Sequence, residues 1–345
     1  MNGGKRFWFL RHWLFFVLLG GGAALSALVV SLHWTRSLLS NPLKTYIEIT
    51  ESSDPTEIDE ESTYFRQGYE RLRKSLPRGY QLKPENIPLK VLYEDDQIAV
   101  VDKPRGMDCH PTAHTLTGTL SHALLGLHPQ WGMKIGELQP GATSRLDKDT
   151  SGTLVFAKTD LAQQRLIEER YADSSGRFHE YTAIVHGVIA EDDGKIDLAV
   201  GKDPFEQKMA VFDKRPELGI APEHRGRLSV YPLTRQSEEL LNAREAHSSY
   251  RVVERFRNHT LVKVKIATGR THQIRVHMAS IGHPLVGDPK YGPPEDAEIF
   301  DIKGQALHAG TYHFVHPTTG ASLTFEAPMP EDMQSILTKI RMENF

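Results

Sequence analysis

Between Pro88 and Pro330, short runs of β-branched and aromatic residues recur, separated by turn residues, and this rhythm predicts a succession of strands. The runs cover residues 91–93, 98–101, 154–157, 181–188, 250–256 and 261–266. In the last, Val262, Val264 and Ile266 alternate with Lys263 and Lys265, the period of a strand with one buried face and one basic face. Two stretches switch to helical spacing. Residues 161–171 place Leu161, Ile167 and Tyr171 among charged side chains behind Asp160, which serves as N-cap. Residues 271–281 place Ile274, Met278 and Ile281 behind a capping Thr271, with Gly282 as the stop. A mixed sheet with a few helices in one domain accounts for the pattern.

The pattern changes outside this domain. Residues 13–32 carry no charged side chain and are rich in Leu, Val, Phe and Ala, interrupted by Gly20, Gly21 and Gly22. At about 1.5 Å per residue they reach across a bilayer core of about 30 Å. Lys5, Arg6 and Arg11 precede them. The segment reads as a membrane tether, or as the apolar part of a presequence for an organelle such as a mitochondrion or plastid. Residues 41–86 follow as a linker, with acidic side chains at Glu51, Asp54, Glu57, Asp59, Glu60 and Glu61, and a short amphipathic helix over 64–76. Residues 212–246 are rich in charge and proline and read as a surface insertion. Residues 331–345 read as a C-terminal tail helix.

Composition narrows the functional classes. With 39% hydrophobic and 25% charged residues the chain is a folded protein rather than a fibrous or disordered one. A single cysteine, Cys109, excludes a disulfide framework and a multi-cysteine metal site. The formal net charge of -3 means that any nucleic-acid binding must come from a local basic patch. Neither G-x-G-x-x-G after a strand nor G-x-x-x-x-G-K-[ST] occurs, so no nucleotide cofactor is expected.

Two segments concentrate reactive side chains. Residues 144–152, SRLDKDTSG, form a polar loop running directly into a strand. A carboxylate at the mouth of a sheet beside an arginine can stay ionised when partly desolvated, as a nucleophile or base at neutral pH must. The same residue types also make an ordinary turn, and the pattern does not choose between Asp147 and Asp149. Residues 268–277, TGRTHQIRVH, sit at a strand-to-helix junction, where backbone N–H groups with Arg270 and Arg275 would seat an anion. His272 and His277, five positions apart, subtend about 140° on a helix and cannot readily share one ion. His308, His313 and His316 lack an adjacent carboxylate. No metal is expected.

Taken together, several segments resemble the RluA-type RNA pseudouridine synthases. These are residues 99–107 (AVVDKPRGM), 145–152 (RLDKDTSG), 269–277 (GRTHQIRVH), 282–288 (GHPLVGD) with Tyr291-Gly292, and 307–309 (LHA) with 316–320 (HPTTG). The resemblance implies an α+β catalytic domain over 87–330, built on a mixed, largely antiparallel sheet with flanking helices. The implied activity is isomerisation of particular uridines in rRNA, tRNA or mRNA to pseudouridine. No cofactor or metal is implied, the partner is RNA, and the catalytic domain is monomeric. By matching, Asp147 is the catalytic carboxylate, Tyr181 packs against the target base and Arg275 pairs with the carboxylate. Arg145, Arg105, Lys103, Lys148, Arg270 and His272 are the expected RNA contacts, with Lys263 and Lys265 as further candidates. Three positions depart from the family pattern: Ser144 replaces a common histidine, His179 a common lysine, and Gly304 lies near a position often basic. A non-catalytic RNA-binding or chaperone protein retaining the fold is the competing reading, and it has no need of a carboxylate that repels phosphate.

Overall fold

The strand rhythm between Pro88 and Pro330 corresponds to one large sheet with a small satellite. The computed structural model describes residues 72–129, 141–171, 176–214 and 230–342, together with Glu70. The chain divides into two compact units, 1–59 and 60–345, and every described residue lies in the second. The strands are β1 (Lys90–Glu94), β2 (Ile98–Lys103), β3 (Ser151–Ala157), β4 (Phe178–His186), β5 (Asp193–Ile196), β6 (Ala199–Lys202), β7 (Met209–Asp213), β8 (Val230–Pro232), β9 (Ser248–Arg255), β10 (His259–Ile266), β11 (Leu307–Val315) and β12 (Ser322–Glu326). The helices are α1 (Leu120–Leu127), α2 (Asp160–Tyr171), α3 (Arg235–Leu240), α4 (Gln273–Ser280), α5 (Asp296–Phe300) and α6 (Glu331–Met342).

Nine strands form the main sheet in the order β1-β2-β3-β11-β4-β10-β9-β5, with β12 paired to β11. Only β3 and β11 run parallel, so the sheet is mixed and largely antiparallel. The parallel contact places Gly152 opposite Ala309. Gly152 has φ +119°, and a Cβ there would stand 2.3 Å from the Ala309 carbonyl oxygen. Only glycine permits that approach, which brings the 144–150 loop to the centre of the sheet.

Strand alternation divides the core. Val101, Leu154, Phe156, Tyr181, Ala183, Val262 and Val264 share one face, packed against Leu120 and Leu124 of α1 and Ile274 and Met278 of α4. On the other face Val100 and Val155 meet Ala162 and Leu166 of α2. There Ile184 meets Met333, Ile336, Leu337 and Ile340 of α6, whose i, i+3, i+4, i+7 spacing makes one apolar stripe. Each of these four side chains contributes about 1.5–3 kcal/mol by burial, which docks the tail helix.

Several boundaries differ from the sequence reading. Strand β4 begins at Phe178, so Tyr181 lies inside it rather than at its start. The N-cap of α2 is Thr159, whose hydroxyl accepts from the Ala162 amide at 3.2 Å, while Asp160 sits in the first turn. Helix α4 begins at Gln273, not after a Thr271 cap, and all eight of its residues are buried. A helix buried all round shows no apolar stripe, so no local pattern marks its start. The segment 212–246 is more than a surface insertion: β6, β7 and β8 form a three-stranded sheet beginning at Ala199. Its own small core contains Ala199, Ala210, Phe212 and Ala243.

The apolar segment 13–32, the acidic stretch 51–61, residues 215–229 and residues 343–345 lie outside the described residues. Of the helix read over 64–76, residues 72–75 are helical and Leu76 is buried. Among the described residues no helix is long and apolar enough to cross a membrane.

Candidate active site

The 144–150 loop is shaped from below by buried polar groups. The ammonium of Lys103, fully buried at the end of β2, donates to the carbonyls of Pro104, Met107 and Lys148 at 2.9, 2.8 and 2.9 Å. Burial lowers its pKa to about 8, with the surrounding charges as smaller influences. Arg105 donates to the carbonyls of Asp149 and Gln305 and, through Nε, to Asp332 at the start of α6. The Cys109 thiol contacts the Leu146 carbonyl at 3.3 Å. A turn closed by the Thr150 amide on the Asp147 carbonyl then lifts the Asp147 side chain into a cavity.

Arg145, Tyr181, Arg270, His272 and Arg275 line the same cavity. Arg275 reaches it from α4, and its Nη1 donates to Asp147 Oδ2 at 3.1 Å. The rest of the guanidinium is held by Asp288: Nε donates to Oδ2 at 2.6 Å and Nη2 to Oδ1 at 2.8 Å. Burial opposes the charge on Arg275, but the bonds and charge of Asp288, and then those of Asp147, outweigh it and raise its pKa. Asp288 is sealed from solvent and also accepts from the Lys290 and Tyr291 amides. This bidentate grip fixes the plane of Arg275, leaving Nη1 aimed at Asp147.

Tyr181 stands on β4 with its hydroxyl 3.2 Å from His179 Nδ1. Burial pushes the Tyr181 hydroxyl well above its ordinary pKa and lowers His179 to about 3, so both are neutral at pH 7. The His179 ring packs 4.5 Å from Tyr312, and its Nε2 is buried without a hydrogen-bond partner. His272 precedes α4 in a left-handed conformation, φ 56° and ψ 19°. Its Nδ1 lies 3.0 Å from the Tyr291 hydroxyl, which also accepts from the Met209 amide of β7 at 2.9 Å. Tyr291 in turn faces the Arg275 guanidinium at 5.4 Å.

The cavity thus holds a carboxylate paired to a clamped arginine beside a tyrosine. Residues 97–280 match the family model described as RNA pseudouridylate synthase. The chain belongs to the RluA-type RNA pseudouridine synthases. An uncharacterized RNA pseudouridine synthase of Bacillus subtilis is 41% identical over 265 residues, 77% of each chain. Ribosomal large subunit pseudouridine synthase D of Pseudomonas aeruginosa is 40% identical over 271 residues, 75% of this chain and 74% of that one. In three dimensions, human RNA pseudouridylate synthase domain containing 4 shares the fold with a TM-score of 0.53 at 20% identity, over 81% of this chain and 98% of that one.

The synthase does not present every expected basic side chain to RNA. Lys103 has no exposed surface and its ammonium is spent on three carbonyls, so it cannot reach a phosphate. Arg105 is likewise engaged by Asp332 and two carbonyls, with 10% of its side chain exposed. Both hold the loop rather than a substrate. Lys263 and Lys265 lie 3.4 and 3.7 Å from Glu180. Register pairs Val264 with Tyr181, so these two lysines project from the sheet face opposite the cavity. Arg145 is exposed and donates to Thr271 Oγ1 at 3.0 Å, while Arg270 donates to the Glu245 carbonyl at 3.1 Å. Lys148 is exposed within the loop, 3.9 Å from Asp108.

Asp149 faces away from the cavity. A Cβ on Gly304, at φ +88°, would stand 2.3 Å from the Asp149 Cβ, so the glycine makes room for this side chain. Ser144 Oγ is buried without a hydrogen-bond partner. Among the described residues no cluster of three or more His, Cys, Asp or Glu could hold a metal ion. His277 is bonded to Ser248 and Leu198, His308 to Ser151 and Ala327, His313 to Thr324 and His316 to Asp95. Sequence reasoning assigned no role to Asp288 or Tyr291, although both stand in quoted motif runs. Their contacts with Arg275 and His272 exist only after the chain doubles back on α4.

Proposed function

We propose that this synthase isomerises uridines in ribosomal RNA, with Asp147 as the reacting carboxylate. The observation that carries the assignment is the 3.1 Å pairing of Asp147 with the clamped Arg275 in a cavity that Tyr181 also lines. The names of the large-subunit relatives support the ribosomal target class.

The reaction breaks the bond between uracil N1 and ribose C1′, turns the base and forms a bond from C5 to C1′. The C5 hydrogen passes to solvent and N1 gains a proton, so the change is an isomerisation. A stacked uridine is out of reach, so it enters the cavity flipped, at an unstacking cost of a few kcal/mol. The buried Tyr181 ring supplies a wall for the base, and its raised pKa keeps the hydroxyl neutral there. Asp147 either attacks C1′ or removes a sugar proton; Arg275 holds the carboxylate in place for either route. Arg145, Arg270 and Lys148 contact phosphate around the cavity mouth.

The test incubates the full chain, wild type and Asp147→Asn, separately with ribosomal RNA and tRNA transcripts tritiated at uridine C5. Tritium release by wild type alone supports the reading. Equal release by Asp147→Asn refutes the role of Asp147, and release only from tRNA refutes the ribosomal target.

A further inference from the structure

The proton accounting around Tyr291 defines the state of His272. The Tyr291 oxygen accepts from the Met209 amide at 2.9 Å, and its other partner is His272 Nδ1 at 3.0 Å. A tyrosine hydroxyl has one proton to give. Donated to Nδ1, it satisfies every donor in the chain from Met209 to His272. Donation in the opposite sense would leave the hydroxyl proton with no acceptor. The ring is therefore the tautomer with its proton on Nε2.

The remaining observations place that proton. His272 lines the cavity with Asp147 and Arg275, and among the described residues none accepts from its Nε2. Nε2 is not among the buried side-chain nitrogens that lack a partner, so it keeps accessible surface on a residue that lines the cavity. The backbone is held at φ 56°, a conformation uncommon for a residue other than glycine, and strain of this kind persists where surrounding structure enforces it. Here the Tyr291 bond and the start of α4 enforce it. Desolvation lowers the His272 pKa to about 4, consistent with one ring proton at pH 7.

We propose that His272 is a hydrogen-bond donor of fixed tautomer that holds a uracil carbonyl in the cavity, with Tyr291 as its positioning residue. The proposal rests on the reading that the flipped uridine enters beside Asp147. Uracil offers carbonyl acceptors at C2 and C4, and negative charge gathers on these oxygens when the base leaves the sugar. A preorganised donor is worth more to that charge than to the neutral base. The contact therefore acts on turnover more than on RNA affinity.

Nitrogen-15 imidazole labelling of the full chain at pH 7, with His272→Asn to assign the resonance, reads the tautomer directly. The expected result is protonated Nε2 and unprotonated Nδ1 at His272, lost as a fixed state in Tyr291→Phe, with a shift of the Nε2 proton when uridine-bearing RNA is added. Protonated Nδ1, or no shift with RNA, overturns the proposal. In single-turnover tritium release at saturating RNA, His272→Asn, which tolerates the left-handed backbone, is expected to slow the rate by about 10²-fold, a typical loss for one such donor. Tyr291→Phe is expected to slow it about tenfold, and both variants should bind RNA within twofold of wild type. A wild-type rate in His272→Asn overturns the proposal while leaving the role of Asp147 intact. Absence of an effect from Asp147→Asn refutes the underlying reading instead, and the resonance measurement then still decides whether His272 is a donor.

Discussion

Replacing Asp288 by asparagine probes the grip on Arg275 without touching the cavity. Asp288 is fully buried and the Arg275 side chain is 5% exposed, so the pair is shielded from water. Two charge-assisted bonds, at 2.6 and 2.8 Å, are weakened together. Removing one partner of a buried pair costs about 3–5 kcal/mol when the other charge is left alone; Asp147 remains beside Nη1, so the lower end of that range is expected. That is a large part of a typical domain stability of about 5–15 kcal/mol. Urea unfolding is followed by circular dichroism. The midpoint is expected to fall at unchanged slope. Turnover is expected to drop by about 10²-fold even where the variant is folded, since a misplacement of about 1 Å at a reacting group costs that much. The double variant Arg275→Met with Asp288→Asn carries no orphan guanidinium and should recover part of the lost stability while staying inactive. A loss below about 1 kcal/mol in Asp288→Asn, or a double variant as unstable as the sum of the singles, would show that Asp288 does not compensate the buried charge.

Burial depresses His110 and His179 to pKa about 3, and His272 and His277 to about 4. Because the folded values lie below the unfolded value near 6.5, the unfolded chain takes up protons first, so stability is full above pH 6.5 and is lost as pH falls toward 3–4. At pH 5 each histidine costs up to about 2 kcal/mol, so urea midpoints at pH 7 and pH 5 should differ strongly; equal midpoints would contradict the buried neutral assignments. Lys103→Met should weaken folding, by orphaning three carbonyls, yet leave the salt dependence of RNA binding unchanged, whereas Arg145→Ala should fold normally and flatten the log–log salt slope by about 1 for one lost phosphate contact. A flattened slope in Lys103→Met would contradict its burial. Gly152→Ala should destabilise the centre of the sheet by at least about 2 kcal/mol, through a clash with the Ala309 carbonyl and an unfavourable φ, measured by thermal melting; a wild-type melting temperature would refute that close approach.

The legible parts of the fold were those with a local period. Alternation at Val262, Val264 and Ile266 located β10 and its faces, and the same alternation, once β10 is paired to β4, puts Lys263 and Lys265 on the side away from the cavity. Strands β11 and β12 carry no legible strand period, because histidine, glycine and threonine interrupt the apolar run in LHAGTYHFV. Strand β11 is placed by pairing with β4 and β3, which are distant in sequence, and β12 by pairing with β11. Helix α4 is legible, with its cap one residue later than the sequence predicts, since a fully buried helix has no polar face to mark its phase.

By itself, the sequence determined the α+β class, the strand-rich domain after Pro88, the absence of a disulfide framework and the resemblance that singles out Asp147, Tyr181 and Arg275. These depend on residue identity and on spacing over a few positions. Tertiary structure decided which cations can meet a substrate. Lys103 and Arg105 stand in a run that reads as a basic turn, and folding places both beneath the loop, where carbonyls and Asp332 take up their protons. It also decided that Asp288 and Tyr291 serve Arg275 and His272, because those contacts form only when the segment after α4 packs back against it. Burial and hydrogen-bond partners are properties of the packed chain, and a local pattern of side chains carries no record of what will cover them.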